Sequence, residues 1–117
     1  MYQEELVHEE EYKGLVIKLY ILPEYNAPDW DISEDELQEL NEKIRDGDLL
    51  WFCAKVQASI DGHVFATDYL GGCLYESVDE FINDDYYNDM RENVFNLACK
   101  EIENLIKWSE KHASNTN

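Results

Sequence analysis

The sequence predicts a single α+β domain: a three- or four-stranded antiparallel sheet with helices packed on one face, in the order β-α-β-β-α-α. Three observations support this class. Apolar β-forming residues are concentrated in three stretches, an Asp-Gly dipeptide separates two of them, and two serine capping signals precede runs with helical spacing. With 117 residues, 44% of them hydrophobic, the chain has apolar side chains for one core. We expect residues 1 to 112 to form the domain and residues 113 to 117 a frayed tail.

The first strand is predicted at residues 14 to 22, where the sequence GLVIKLYIL is rich in β-forming residues and is followed by Pro23. One face of this strand carries the alternating residues Leu15, Ile17, Leu19 and Ile21. The opposite face is half polar, which is typical of a sheet that is covered on one side. An additional edge strand at residues 4 to 9 is an open alternative.

The first helix is predicted at residues 34 to 46. Ser33 and Glu36 have the spacing of a capping box, and Gly47 ends the helical pattern. We expect its apolar residues, Leu37, Leu40 and Ile44, to point into the core. We expect its acidic residues to point into solvent, among them Asp35, Glu39 and Glu42.

The next two strands are predicted at residues 48 to 60 and 63 to 71, because the Asp-Gly dipeptide between them is typical of a two-residue hairpin turn. Such a turn fixes the register of the two strands. The resulting register places Lys55 opposite Asp68 as a cross-strand ion pair. It places the following residues on the mainly apolar face: His63, Phe65, Thr67 and Tyr69.

Two further helices complete the domain. Ser77 and Glu80 form a second capping box before a short helix that ends near Asn83. A long amphipathic helix is predicted at residues 86 to 111. Its buried stripe is expected to contain Met90, Val94, Leu97, Ala98, Ile102 and Leu105.

The charge is segregated along the chain. There are 27 acidic residues against nine lysines and arginines, for a net charge of -18. Three segments carry the whole imbalance, namely residues 1 to 11, 24 to 48 and 76 to 92. Such a field repels nucleic acid and anionic lipid and attracts basic surfaces. We interpret the segregation as a binding face for a basic protein; the alternative is solvation together with the preference of acids for helix N-termini.

Nothing in the sequence indicates a catalytic or metal-binding site. Cys53, Cys73 and Cys99 are odd in number and widely spaced, so we expect reduced thiols in a cytoplasmic protein. No stretch approaches the roughly 18 apolar residues of a membrane span, and no nucleophile-base pair has a recognisable spacing. We therefore expect neither catalysis nor a cofactor; a small enzyme with a substrate-sized pocket is the alternative.

Acidic residues on or beside the predicted helices are the candidates for partner binding. They are Asp35, Glu39, Glu42, Asp46, Asp79, Glu80, Asp84, Asp85 and Asp89. Three aromatic residues inside or beside the acidic runs, Trp30, Tyr86 and Tyr87, are candidate interface anchors, because Trp and Tyr are favoured at binding hot spots. The alternative for each is packing over its own helix end.

Length, acidity and two stretches of sequence suggest a family. The sequences GLVIKLYILPEYN and LLWFCAKVQASIDGHVFATDYLGGCLYES resemble the small bacterial DNA-mimic protein family whose described partner is the histone-like nucleoid protein HU. The resemblance implies a monomer that occupies the DNA-binding surface of HU and is nucleoid-associated through this partner. Two alternatives remain open: a phage-derived inhibitor of a restriction or CRISPR nuclease, and an acidic accessory protein that is not a DNA mimic.

Overall fold

Four antiparallel strands in sequential order form the sheet. The computed structural model describes residues 3–24 and 31–113. The sheet has the order β1-β2-β3-β4, which confirms the predicted α+β class and the additional edge strand. The elements are β1 (Glu5–Tyr12), β2 (Leu15–Pro23), α1 (Glu34–Asp46), β3 (Leu50–Ile60), β4 (His63–Tyr75), α2 (Val78–Ile82) and α3 (Asp85–Ala113).

A β-bulge near the hairpin turn changes the register of β3 and β4. Ile60 pairs with His63, as the two-residue turn requires, but Ala58 pairs with Ala66, so β4 carries one inserted residue. The predicted pairing of Lys55 with Asp68 is therefore wrong. Lys55 lies opposite Tyr69. Because side chains alternate along a strand, the insertion also moves Thr67 and Tyr69 away from the apolar face on which we expected them.

β4 continues to Tyr75, beyond its predicted end at residue 71. A second register shift lies between the pairs Phe52–Cys73 and Ala54–Leu70, where β4 carries one more residue than β3. Gly72 lies in this segment of β4 and has a φ of 66°. Glycine adopts this conformation without a steric penalty. The N–H of Gly72 donates to Glu24 Oε2 at 2.9 Å, and a Cβ at this position would lie 3.4 Å from the Trp51 ring. The glycine therefore bends the strand and does not end it.

The core lies between one face of the sheet and helices α2 and α3. The ring of Phe81, from α2, packs edge-on against the rings of Phe52 and Tyr75. The distances between ring centroids are 5.5 Å to Phe52 and 5.1 Å to Tyr75. The largest side chains that are fully buried are Tyr87, Phe81, Ile17, Leu19, Val56 and Val94. Burial of each aliphatic or phenylalanine side chain in this set contributes roughly 1.5 to 3 kcal/mol relative to full exposure.

Only the first part of α3 is packed against the sheet. Two residues of the predicted buried stripe, Leu97 and Leu105, are 47% and 46% exposed. Leu97 lies at the edge of the stripe. Leu105 lies in the middle of the stripe, but Phe95, ten residues earlier, contacts Tyr12 next to the β1-β2 turn. Because this turn lies at one end of the sheet, the part of α3 that contains Leu105 extends beyond the sheet. The remaining predicted residues are buried or packed against the core: Met90, Val94, Ala98 and Ile102.

α1 has the predicted bounds but not the predicted packing. Ser33 Oγ caps its first turn, and Gly47 ends it with a φ of 85°. None of its 13 residues, all of which the structure describes, is buried. Leu37, Leu40 and Ile44 are half-buried and lie outside the core cluster, so the expectation that they point into the core is wrong. The reason is that α2 and α3 already cover the apolar face of the sheet.

The molecule is elongated, with extents of 72 × 28 × 23 Å. Its Cα radius of gyration is 18.8 Å, whereas a compact domain of this length has a value of about 13 Å. The second half of α3 contributes to this length, because α3 is about 43 Å long and extends beyond the sheet. In the described part of the chain, no helix combines the length and apolarity that crossing a membrane requires.

Candidate partner-binding surface

Strand pairing brings α1, α2 and the start of α3 to one end of the sheet. Leu50, the first residue of β3, pairs with Tyr75, the last residue of β4. α1 precedes this pair by a three-residue connection, and α2 follows it after two residues. We call this region the acidic end, and define it as α1, α2, residues 85–89 and the neighbouring strand ends. The opposite end carries the two hairpin turns and the second half of α3, residues 100–113.

The acidic end contains all nine carboxylates predicted as partner-binding residues. Eight of the nine are exposed, and Asp84 is half-buried. Of the nine lysines and arginines in the sequence, only Lys43 and Arg45 lie on α1, α2 or residues 85–89. The second half of α3 contains as many lysines as acids. The charge that is segregated along the chain is therefore segregated in space.

α1 presents its acids as a single stripe. Asp35, Glu39, Glu42 and Asp46 follow one another at intervals of four, three and four residues, which keeps them on one helix face, opposite the apolar residues. Successive members advance along the axis by about 4.5 to 6 Å. The helix is capped at both ends, by Ser33 and Gly47, which favours the helical spacing of the stripe in the absence of a partner.

Two basic side chains of α1 contact this stripe. Lys43 Nζ lies 3.8 Å from Glu39, and Arg45 Nε lies 3.6 Å from Asp46. All four side chains are more than half exposed. Exposed pairs of this kind contribute about 0 to 1 kcal/mol, so they compete weakly with a partner's cations.

The acids of α2, of the start of α3 and of the short connection between them are not equivalent. The Tyr75 hydroxyl donates to Asp84 Oδ2 at 2.7 Å, and the N–H of Asp85 donates to Asp84 Oδ1 at 2.7 Å. The bond from Tyr75 lowers the pKa of Asp84, while burial and the same bond raise the pKa of Tyr75. Glu80 Oε2 accepts from the N–H of Glu76 at 3.0 Å. Asp84 and Glu80 thus have contacts within the fold, and Asp79, Asp85 and Asp89 are the stronger candidates for a partner.

The first acidic segment is divided between the fold and the surface. Glu10 faces α3, where Tyr87 OH donates to Oε2 at 2.8 Å and Arg91 Nη1 donates to Oε1 at 2.9 Å. His8 Nε2 also lies 2.8 Å from Oε2. Burial raises the pKa of Glu10, but these three contacts together outweigh it, so the pKa is below its ordinary value. Glu10 is thus an internal contact between β1 and α3.

The three candidate anchors have different outcomes. Tyr87 is 1% exposed and belongs to the core, so it is not an interface anchor. Tyr86 is 57% exposed and lies beside Asp85 at the acidic end, where it remains a candidate. Trp30 lies outside the described residues.

The chain was compared with protein-family models, curated proteins and solved structures, and none of these comparisons gives a significant match.

A cavity at the acidic end was not predicted from the sequence. It has a volume of about 740 Å³ and lies where the first residues of β1, the last of β2 and the first of β3 meet. Glu5, Leu22 and Trp51 are among its lining residues. No local motif connects three positions so distant in sequence, and only the pairing of the strands brings them together.

Proposed function

We propose that this protein is an acidic DNA mimic that binds the DNA-binding surface of a basic nucleoid protein of the HU type and competes with DNA for it. One observation supports the proposal above the others. Exposed carboxylates are concentrated at one end of an elongated molecule, where α1, α2 and residues 85–89 contain only two bases. A surface used only for solubility has no physical need to be one-sided.

The geometry of α1 supports mimicry of a phosphate backbone. Phosphates along one DNA strand advance by about 3.4 Å along the axis. The acidic stripe of α1 advances by about 4.5 to 6 Å per carboxylate. Its step is therefore somewhat longer than that of the phosphates but of the same scale, and its charges are negative like theirs. A basic groove built for phosphates attracts such a stripe over several ångströms, and this attraction weakens with salt.

A competition experiment tests the proposal. Labelled duplex DNA bound to HU is titrated with the protein, and DNA release is followed by fluorescence anisotropy. We expect the protein to release the DNA, with a lower apparent affinity at higher salt, and to show no affinity for DNA alone. If no DNA is released at low salt, HU is not the partner.

Matched double variants locate the binding surface. Glu39→Gln with Glu42→Gln removes two charges from the α1 stripe, and Glu101→Gln with Glu103→Gln removes two charges from the opposite end. The pairs are comparable because Glu39 contacts Lys43 at 3.8 Å and Glu103 contacts Lys107 at 3.6 Å, each across one helical turn.

We expect only the α1 pair to weaken HU binding and reduce its salt dependence, measured by calorimetry at two salt concentrations. Stability should change by less than about 0.5 kcal/mol per site in both. Equal weakening by both pairs would indicate a general charge effect. If neither pair changes binding, α1 does not contact the partner, and the binding surface is then assigned to Asp79, Asp85 and Asp89.

A further inference from the structure

The cavity at the acidic end combines an apolar wall with an acidic rim. Leu22, Trp51 and Phe52 contribute to the wall. Glu4 and Glu5, which stand at the start of β1, contribute carboxylates. Its volume of about 740 Å³ lies within the usual range of ligand sites, roughly 300 to 1,000 Å³. An occupant must therefore satisfy both an apolar wall and a negative rim.

The protein's own Lys55 shows what kind of group binds at this rim. Its Nζ lies 2.7 Å from Glu4 Oε1, and the side chain is only 13% exposed. The ammonium group also lies 5.1 Å from the centre of the Tyr20 ring. The hydrogen bond with Glu4 is the main reason that the pKa of Lys55 is raised. Next to this site, Glu5 offers a second carboxylate at the rim of the cavity.

We propose that the cavity is a socket for one cationic side chain, lysine or arginine, from the basic partner. The inference rests on the proposed function and adds to it a specific contact. Long cationic side chains cover apolar surface with their aliphatic stems while the charged head stays at the polar edge. The stem would lie along Ile21 and Leu50, which line the cavity on the same sheet face as Glu5, and the head would bind the Glu5 carboxylate.

A model-compound titration tests the cavity without the partner. In a Trp30→Phe, Trp108→Phe background, Trp51 is the single tryptophan and reports on the cavity. The probes are n-butylguanidinium, which has stem and charge, 1-butanol, which has the stem, and methylguanidinium, which has the charge. We expect a saturable change in Trp51 fluorescence with n-butylguanidinium at concentrations at least about tenfold lower than with either other probe.

A rim variant and its control locate the charge. Glu5→Gln should weaken n-butylguanidinium binding by about tenfold. Glu9→Gln removes one charge from the same strand, but Glu9 contacts Lys18 at 3.7 Å and does not line the cavity, so it should have little effect. Equal binding of 1-butanol, or an identical response of both variants, overturns the assignment to a cation.

A blocking variant tests the partner contact. Gln3→Trp places a large side chain at the cavity mouth, whereas Gln3→Ala is its matched control. Calorimetry with HU should show at least about tenfold weaker binding for Gln3→Trp and nearly unchanged binding for Gln3→Ala. Unchanged binding of Gln3→Trp overturns the socket while leaving the acidic surface in place. If the wild type does not bind HU, the proposed function fails, and the model compounds still decide whether the cavity takes an alkyl cation.

Discussion

Replacing Glu10 by glutamine tests the contact between β1 and α3. The Glu10 carboxylate accepts hydrogen bonds from Tyr87 and Arg91 and lies 2.8 Å from His8 Nε2. The Arg91 side chain is only 22% exposed, so water can only partly solvate its guanidinium group once the Glu10 charge is removed. Hydrogen bonds to charged groups contribute about 1.5 to 3 kcal/mol each, and partial exposure reduces this value. We expect the Glu10→Gln variant to lose about 1 to 3 kcal/mol of unfolding free energy at pH 7.

The loss should depend on pH in a defined direction. The pKa of Glu10 is lower in the folded protein than the ordinary value of 4.5. Its contribution to stability is therefore complete above about pH 4.5 and decreases as the pH falls through the lower, folded pKa. Glutamine cannot titrate, so the difference between wild type and variant should shrink over the same range.

Urea unfolding of both proteins between pH 7 and pH 3 measures this difference. The control is Glu9→Gln, which relieves the same amount of overall negative charge. Glu9 is 54% exposed at its side chain, with Lys18 at 3.7 Å, so the control should change stability by less than about 0.5 kcal/mol. If Glu10→Gln behaves like Glu9→Gln, or if its cost is the same at every pH, the contact does not stabilise the fold as described.

Three further measurements test the packing. Leu37→Ala should cost less than about 1 kcal/mol in urea unfolding, because α1 has no buried residue, whereas Leu19→Ala should cost about 2 to 5 kcal/mol; equal costs would place α1 in the core. Cys99 is exposed, while burial raises the pKa of Cys73 to about 11, so a thiol reagent at pH 8 should modify Cys99 first; early modification of Cys73 would contradict its burial. Amide hydrogens of residues 104 to 113 should exchange much faster than those in the first half of α3. Uniform protection along α3 would instead mean that its second half is covered.

The sequence determined most element boundaries, because the signals that set them are local. α1 runs from Glu34 to Asp46, as predicted, since the Ser33 cap and Gly47 act through hydrogen bonds within a few residues. The turn at Asp61-Gly62 is also a local property and was predicted correctly. The class of the fold and the division of the chain into acidic and neutral segments likewise follow from composition and periodicity.

Tertiary structure decided what surrounds each element. A bulge near the turn moves Asp68 to the core side of β4, and no local pattern marks the inserted residue. α1 and α3 are both amphipathic, but the sheet has only one apolar face to cover. α3 buries Val94 there, while Leu37 of α1 stays half-buried and Leu105 has no sheet beneath it.

The candidate surface depends on both the sequence and the tertiary structure. The sequence alone placed the acids on or beside helices and predicted that one helix face would carry several of them. Only strand pairing brings α1, α2 and the start of α3 to the same end, because Leu50 and Tyr75 are neighbours across β3 and β4 although they are far apart in the chain. Charge is a property of composition, but a charged surface requires long-range contacts, and hydrogen bonds between distant strands form these contacts.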